Sequence, residues 1–241
     1  MNTVTPSSGR NWNRILAVCG FNLVVIWLLL GNIDPDLRHR LSTMEVFTLV
    51  VTPTILFYLR NNWPLSKWGM SALGVAGITV LTYSVLHEAS HVLGVYAIGS
   101  KPVEVHLIPK FWAGEFATGA SVSSQPVAGW IGALPGLAPY IKDILFLLVG
   151  AWILKRTDMR SAFLAGLVYV TLCVAPLFDL VNNYLIYLVL GRVSGNDFYG
   201  TALRWGAVWT HGIGLGFCIF ALVTCAWILW FYGNHPNTVL E

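Results

Sequence analysis

The sequence predicts an all-α polytopic membrane protein of about six transmembrane helices, with a small β-hairpin or sheet inserted between helices three and four. Three observations predict it. Hydrophobic residues fill 56% of the 241 positions and charged residues only 10%, against about 25% charged in a soluble domain. The mean hydropathy is +0.67. The few charges cluster between apolar blocks of helix length, as segments of ~20 residues that cross hydrocarbon require. A net charge of +3 is too small to draw in nucleic acid. The expected surroundings are a lipid bilayer, with a multi-pass arrangement in a bacterial inner (plasma) membrane.

The elements follow in order. The first apolar block runs from about Ile15 to Leu30, and without a cleavage pattern before it reads as a retained helix, not a signal peptide. After the polar stretch NIDPDLRHRLSTME comes a helix over roughly Val46 to Leu59. RNNWPLSKW is an interfacial loop, with Trp63 and Trp68 suited to the headgroup region. The third helix, about Met70 to Ile98, exceeds what a span needs, so it tilts or protrudes.

KPVEVHLIP then alternates Val103, Val105 and Leu107 with Glu104 and His106, the two-residue period of a strand. FWAGEFATGASV adds glycines and further β-compatible residues. The Gly- and Pro-rich residues 126–138 read as a loop or re-entrant piece before a spanning helix from Pro139 to Leu154. The fifth helix covers about Ser161 to Leu190 and the sixth Ala207 to Tyr232. Cys19, Cys173, Cys218 and Cys225 fall inside apolar runs with no CxxC spacing and read as small buried hydrophobes. Lys and Arg divide almost evenly between the two faces, so charge does not set the orientation.

The chemistry lies in SVLHEASHVLG, where His87, Glu88 and His91 interrupt an apolar helix. An ionisable group at membrane depth costs on the order of 3 kcal/mol and marks function. Residues four apart share a helix face, so His87 and His91 can grip one metal ion. Glu88, turned by about 100°, reaches a water on that ion without ligating it. A catalytic zinc needs a third protein ligand and an open position. Among the acidic residues that follow, Glu104 and Glu115 fall in the hairpin, and Asp158 and Asp197 in polar loops. Asp143 adjoins Lys142, where a local ion pair or snorkelling accounts for it. Asp179, flanked by apolar residues and preceded by Pro176, is the better third ligand. Asn182, one turn on, reads equally as a group that orients it or binds a substrate carbonyl and as an interhelical hydrogen-bonding residue. His211 reads as a buried, hydrogen-bonded residue and His106 as exposed, while His39 and His235 are loop residues without a partner.

At these residues the chain resembles the site-2 protease family of intramembrane zinc metalloproteases. HEASH in a membrane helix, a β-like loop directly after it, and an aspartate within PLFDLVNN two helices later match in order. The resemblance implies one zinc per chain held by His87, His91 and Asp179, with Glu88 as general base. It also implies hydrolysis of peptide bonds in or near a transmembrane segment of another membrane protein. The helix bearing HEASH would enter from the outer side, and the loop over 101–122 would be cytoplasmic and offer an edge strand to an unwound substrate.

Leu180 stands where the family's aspartate is followed by glycine, and LPGLAPYI is only a loose counterpart of its G-P-x-x-N element. The CAAX-processing zinc proteases would need a glutamate in a later apolar helix, and none is present. The expected organisation is one membrane-embedded domain: two accessory helices (1–68), a metalloprotease-like core (69–190) and a C-terminal helix (191–241). The alternatives are an inactive homologue that binds membrane helices, or a zinc-dependent lipid or amide hydrolase.

Overall fold

The computed structural model describes residues 43–59, 63–108, 121–125, 127–156, 161–191 and 196–234. The first expected span, Ile15 to Leu30, lies outside them, as do His39, Glu115, Asp158 and His235. Within them the chain is helical apart from one antiparallel pair of strands. The helices are α1 (Thr43–Leu59), α2 (Leu65–Ala97), α3 (Leu134–Arg156), α4 (Ala162–Leu190), α5 (Asp197–Trp205) and α6 (Ala207–Asn234). A 3-10 turn, Trp130–Ala133, leads into α3.

Four helical units are long and apolar enough to cross a membrane: Leu65–Ala97, Trp130–Arg156, Ala162–Leu190 and Ala207–Phe231. Their outer faces are apolar, with Leu93, Trp152, Val189 and Val223 between 63% and 75% exposed. Hydrocarbon can solvate such a surface; water does so only at a cost. With 17 residues, α1 is about 26 Å long, slightly short of a ~30 Å hydrocarbon core.

The main core lies between α3, α4 and α6, around Leu147, Cys173, Leu180 and Ala221. A second cluster joins α1 and α2 to α4 through Leu56, Trp68, Ala72, Val75 and Val170. Trp68 Nε1 donates to the carbonyl of Pro53 at 3.0 Å, pinning α2 to the middle of α1. Small residues allow close helix contacts where hydrophobic exclusion gives little drive. A Cβ on Gly94 would fall 2.8 Å from the backbone of Pro135, and one on Gly150 would fall 2.8 Å from Cys173 Sγ. So α2 meets α3 at Gly94, and α3 meets α4 at Gly150.

Opposite Gly150, α4 widens into a π-helical turn over Val170–Val174. Thr171 in that turn shares a 2.8 Å hydroxyl hydrogen bond with Thr79 of α2. Pro176 follows at the start of the resumed α-helix, where its missing N–H costs least.

The strands are β1 (Pro102–His106) and β2 (Ser121–Ser124), paired with Val105 opposite Val122 and His106 opposite Ser121. The expected two-residue alternation therefore forms a sheet. His106 is exposed and pairs with Glu104 at 2.8 Å.

Three expectations need correction. The helix expected from Pro139 begins at Leu134, so the glycine- and proline-rich residues just before Pro139 are its first turns. Lys142 and Asp143 are therefore not at a helix end. They pair at 2.7 Å inside the bundle, with the ammonium 3.9 Å from the Tyr83 ring centroid and Asp143 fully buried. Asp197 is not in a loop, because it opens α5.

Candidate functional site

His87, Glu88 and His91 sit on α2 just before the Gly94 contact with α3. One helical phase thus turns the histidines toward the bundle and brings α3 against them. Each imidazole is oriented through Nδ1. His91 Nδ1–H donates to the carbonyl of Pro135 at 2.8 Å. His87 Nδ1 lies 2.7 Å from Asp179 Oδ2, placed to donate to the carboxylate. With both Nδ1 atoms so engaged, the neutral imidazoles would each present an Nε2 lone pair to a metal.

The carboxylate that reaches those Nε2 atoms is Asp197. Its Oδ2 lies 3.6 Å from His91 Nε2 and 3.9 Å from His87 Nε2. Among the described residues, His87, His91 and Asp197 form the group whose ligand atoms all lie within 4.8 Å of one another. Ligand atoms on a tetrahedral ion with bonds near 2.1 Å are about 3.4 Å apart, so the three fit a metal ion with little movement.

Local sequence explains why Asp197 sits there. Asn196 caps α5, its side chain accepting from the Tyr199 N–H at 3.0 Å, and Asp197 occupies the first turn, where an acidic residue is favoured. Phe198, fully buried, stacks on Tyr140 with ring centroids 4.6 Å apart and also packs on Tyr184. Tyr140 then donates to Asp197 Oδ2 at 3.1 Å. Burial pushes the Asp197 carboxyl above its ordinary value, against the opposing pull of His91 and His87.

Asp179, expected as the third ligand, is engaged on both oxygens. Oδ2 meets His87 and, at 3.2 Å, the Tyr83 hydroxyl; Oδ1 accepts from Asn183 Nδ2 at 2.8 Å. A carboxylate on the far nitrogen of a metal-binding histidine fixes its tautomer and raises its basicity. Tyr83 also lies 2.5 Å from Asp143 Oδ1, so the Lys142–Asp143 pair is connected to His87 through Tyr83 and Asp179. The amide that contacts Asp179 belongs to Asn183, four residues on, and not to Asn182. Asn196 Nδ2 in turn donates to the Asn183 carbonyl at 3.1 Å, tying α5 to the helix that carries Asp179. His211 bonds Tyr184 at 3.2 Å, away from the metal group.

The group opens onto a cavity of about 660 Å³. Glu88 lines it beside His87, His91 and Asp197, and Val122 and Ser124 of β2 form another part of the wall. A metal ligand pair, a neighbouring carboxylate and a strand thus face one space. No family model, no curated protein and no solved structure matches the chain.

Asp197 is the residue that reading the sequence missed. SGNDFYG carries a signal for the helix that Asp197 opens, since Asn is a favoured N-cap, but none for the contact of its carboxylate with the imidazoles.

Proposed function

We propose that the protein is an intramembrane zinc metalloprotease that hydrolyses peptide bonds in or near transmembrane segments of other membrane proteins. The observation that carries the reading is the convergence of His87 Nε2, His91 Nε2 and the Asp197 carboxylate beside Glu88, on a cavity also lined by a strand. His87, His91 and Asp197 hold the ion in this reading, and Asp179 orients His87. Zinc bound there lowers the pKa of a coordinated water toward ~7 and polarises a carbonyl.

Glu88 would serve as general base toward the attacking water and then as the acid that protonates the leaving amine. Asp179 and Pro135 keep the imidazoles in the tautomers that bind metal. A helical substrate hides its peptide bonds, so the segment must be unwound first. Among the described residues β1 and β2 pair only with each other, and main-chain hydrogen bonding to the other edge of β2 would hold such a segment extended beside the site.

The test is co-expression with a panel of single-span membrane proteins. A fragment should appear with the wild-type chain and be missing with Glu88→Gln. If Glu88→Gln supports the same biological function as wild type, the chain is a binding homologue and not a peptidase.

A further inference from the structure

Arg204 lines the same cavity as the histidines and Asp197, and the metal chemistry has no use for it. It lies on α5 seven residues after Asp197, two helical turns along the same face. One guanidinium nitrogen donates to the Gly200 carbonyl at 3.0 Å, which folds the side chain back toward the Asp197 end. Gly132 makes room for it. A Cβ there would fall 2.7 Å from Arg204 Nε and would collide with the carbonyl of Val127. Among the described residues, no carboxylate forms an ion pair with Arg204. With a divalent ion between the imidazoles, Asp197 and Glu88 balance the metal, and the charge of Arg204 is left over.

We propose that Arg204 is an anchor for a substrate carboxylate, so that the cleaved peptide carries an acidic side chain or its own C-terminal carboxylate two or three residues from the scissile bond. This rests on the peptidase reading above. A guanidinium fork matches a carboxylate in bidentate fashion, and the fit tightens where water is scarce. The spacing follows from the helix. The guanidinium lies between the levels of Gly200 and Arg204, about 5–10 Å along α5 from Asp197 at 1.5 Å per residue. An extended peptide covers that distance in two or three residues of ~3.4 Å each.

Two measurements test the anchor. In the first, the zinc-loaded full chain in detergent is incubated with peptides from digested membrane proteins, and the cut sites are mapped by mass spectrometry. Wild type should prefer a carboxylate at one fixed position within three residues of the cut. Arg204→Gln should lose that preference, and Arg204→Lys should keep it in weaker form. For a matched Glu/Gln peptide pair, KM should differ by about tenfold or more in wild type and be equal in Arg204→Gln, with kcat little changed.

The second measurement reads binding without turnover. Fluorescence anisotropy compares labelled apolar peptides bearing an internal Glu, an internal Gln, a free carboxylate end or a carboxamide end. Tighter binding of a carboxylate peptide that disappears in Arg204→Gln supports the anchor even if nothing is cut; in that case it is the peptidase reading that fails. The Glu and free-end peptides separate the two carboxylate sources. Equal binding of all four peptides to wild type, or an acidic preference that survives Arg204→Gln, overturns the anchor.

Discussion

His91 Nδ1 is held 2.8 Å from the carbonyl oxygen of Pro135, a group that a regular helix would have used itself. In α3 that carbonyl would ordinarily accept from the N–H four residues on, at position 139. That residue is proline and has no N–H to give. The missing helix bond is therefore replaced by one to an imidazole of the candidate metal group, and the proline inside α3 serves that group's geometry.

Replacing Pro139 with Ala restores the competing donor. The expected result is a helix at least as stable in a thermal unfolding scan, together with zinc affinity lower by roughly tenfold, the scale on which losing an outer hydrogen bond acts. Chelator competition on the purified chain measures it. Unchanged affinity would mean that the carbonyl serves both donors through its two lone pairs.

Asp197 and Asp179 are separated by a matched pair of substitutions. Asp197→Asn removes a charged ligand, and zinc should fall well below one per chain by elemental analysis, with cleavage abolished. Asp179→Asn leaves the three converging groups in place, so zinc should stay bound at an affinity about 10–100-fold weaker. If Asp179→Asn strips the metal while Asp197→Asn keeps it, the two roles are reversed.

That pair also marks how far the sequence alone was informative. The four long apolar helices, the strand alternation and the pairing of His87 with His91 were legible because each is a local pattern: an apolar run, a period of two, a spacing of four. Asp179 stood out because a carboxylate without a cationic neighbour is conspicuous in an apolar helix. The carboxylate beside both Nε2 atoms was not legible, because Asp197 reaches them only through tertiary contacts. Its helix is short and polar enough to pass for a loop, and it is seated by Phe198 against Tyr140, which no local pattern reveals. The early start of α3 was hidden by the prolines and glycines that usually mark a break.

Among the described residues Glu88 forms no ion pair with His87 or His91 and is not one of the three converging groups, so Glu88→Gln should leave zinc content unchanged. Cleavage should fall by ~10²–10⁴-fold, the usual worth of general-base assistance. A gel assay on any fragment found by co-expression will resolve that range. Loss of zinc in this variant would make Glu88 a ligand instead of a base.

Gly94 sets the distance between the helix of the histidines and the helix of Pro135. Gly94→Val should force α2 and α3 apart, at a cost of about 1–3 kcal/mol from overpacking. Zinc affinity should drop in the same variant, because His91 loses its carbonyl. Gly77 has nothing within 4 Å of its Cβ position and is the control, since Gly77→Val should neither force α2 and α3 apart nor lower zinc affinity.

The wide turn at Val170–Val174 changes how positions along α4 must be counted. A π-turn holds one residue more than the α-helical ladder around it, so a helical wheel drawn from Ala162 goes out of phase by one position, about 100°, from Ala175 onward. Asp179 and Asn183 face inward only because of that extra step. Deleting a single residue between 170 and 174 should let the turn close to a regular α-helix and leave both facing inward, whereas inserting one further residue there should swing both by about 100° toward the outside and carry exposed Leu188 and Val189 round with them. Such an insertion should damage the site more than most point substitutions in α4, even though it removes none of the residues that touch the imidazoles. When distant relatives are aligned by helical phase, a one-residue gap at this turn is a structural signature and should not be closed up.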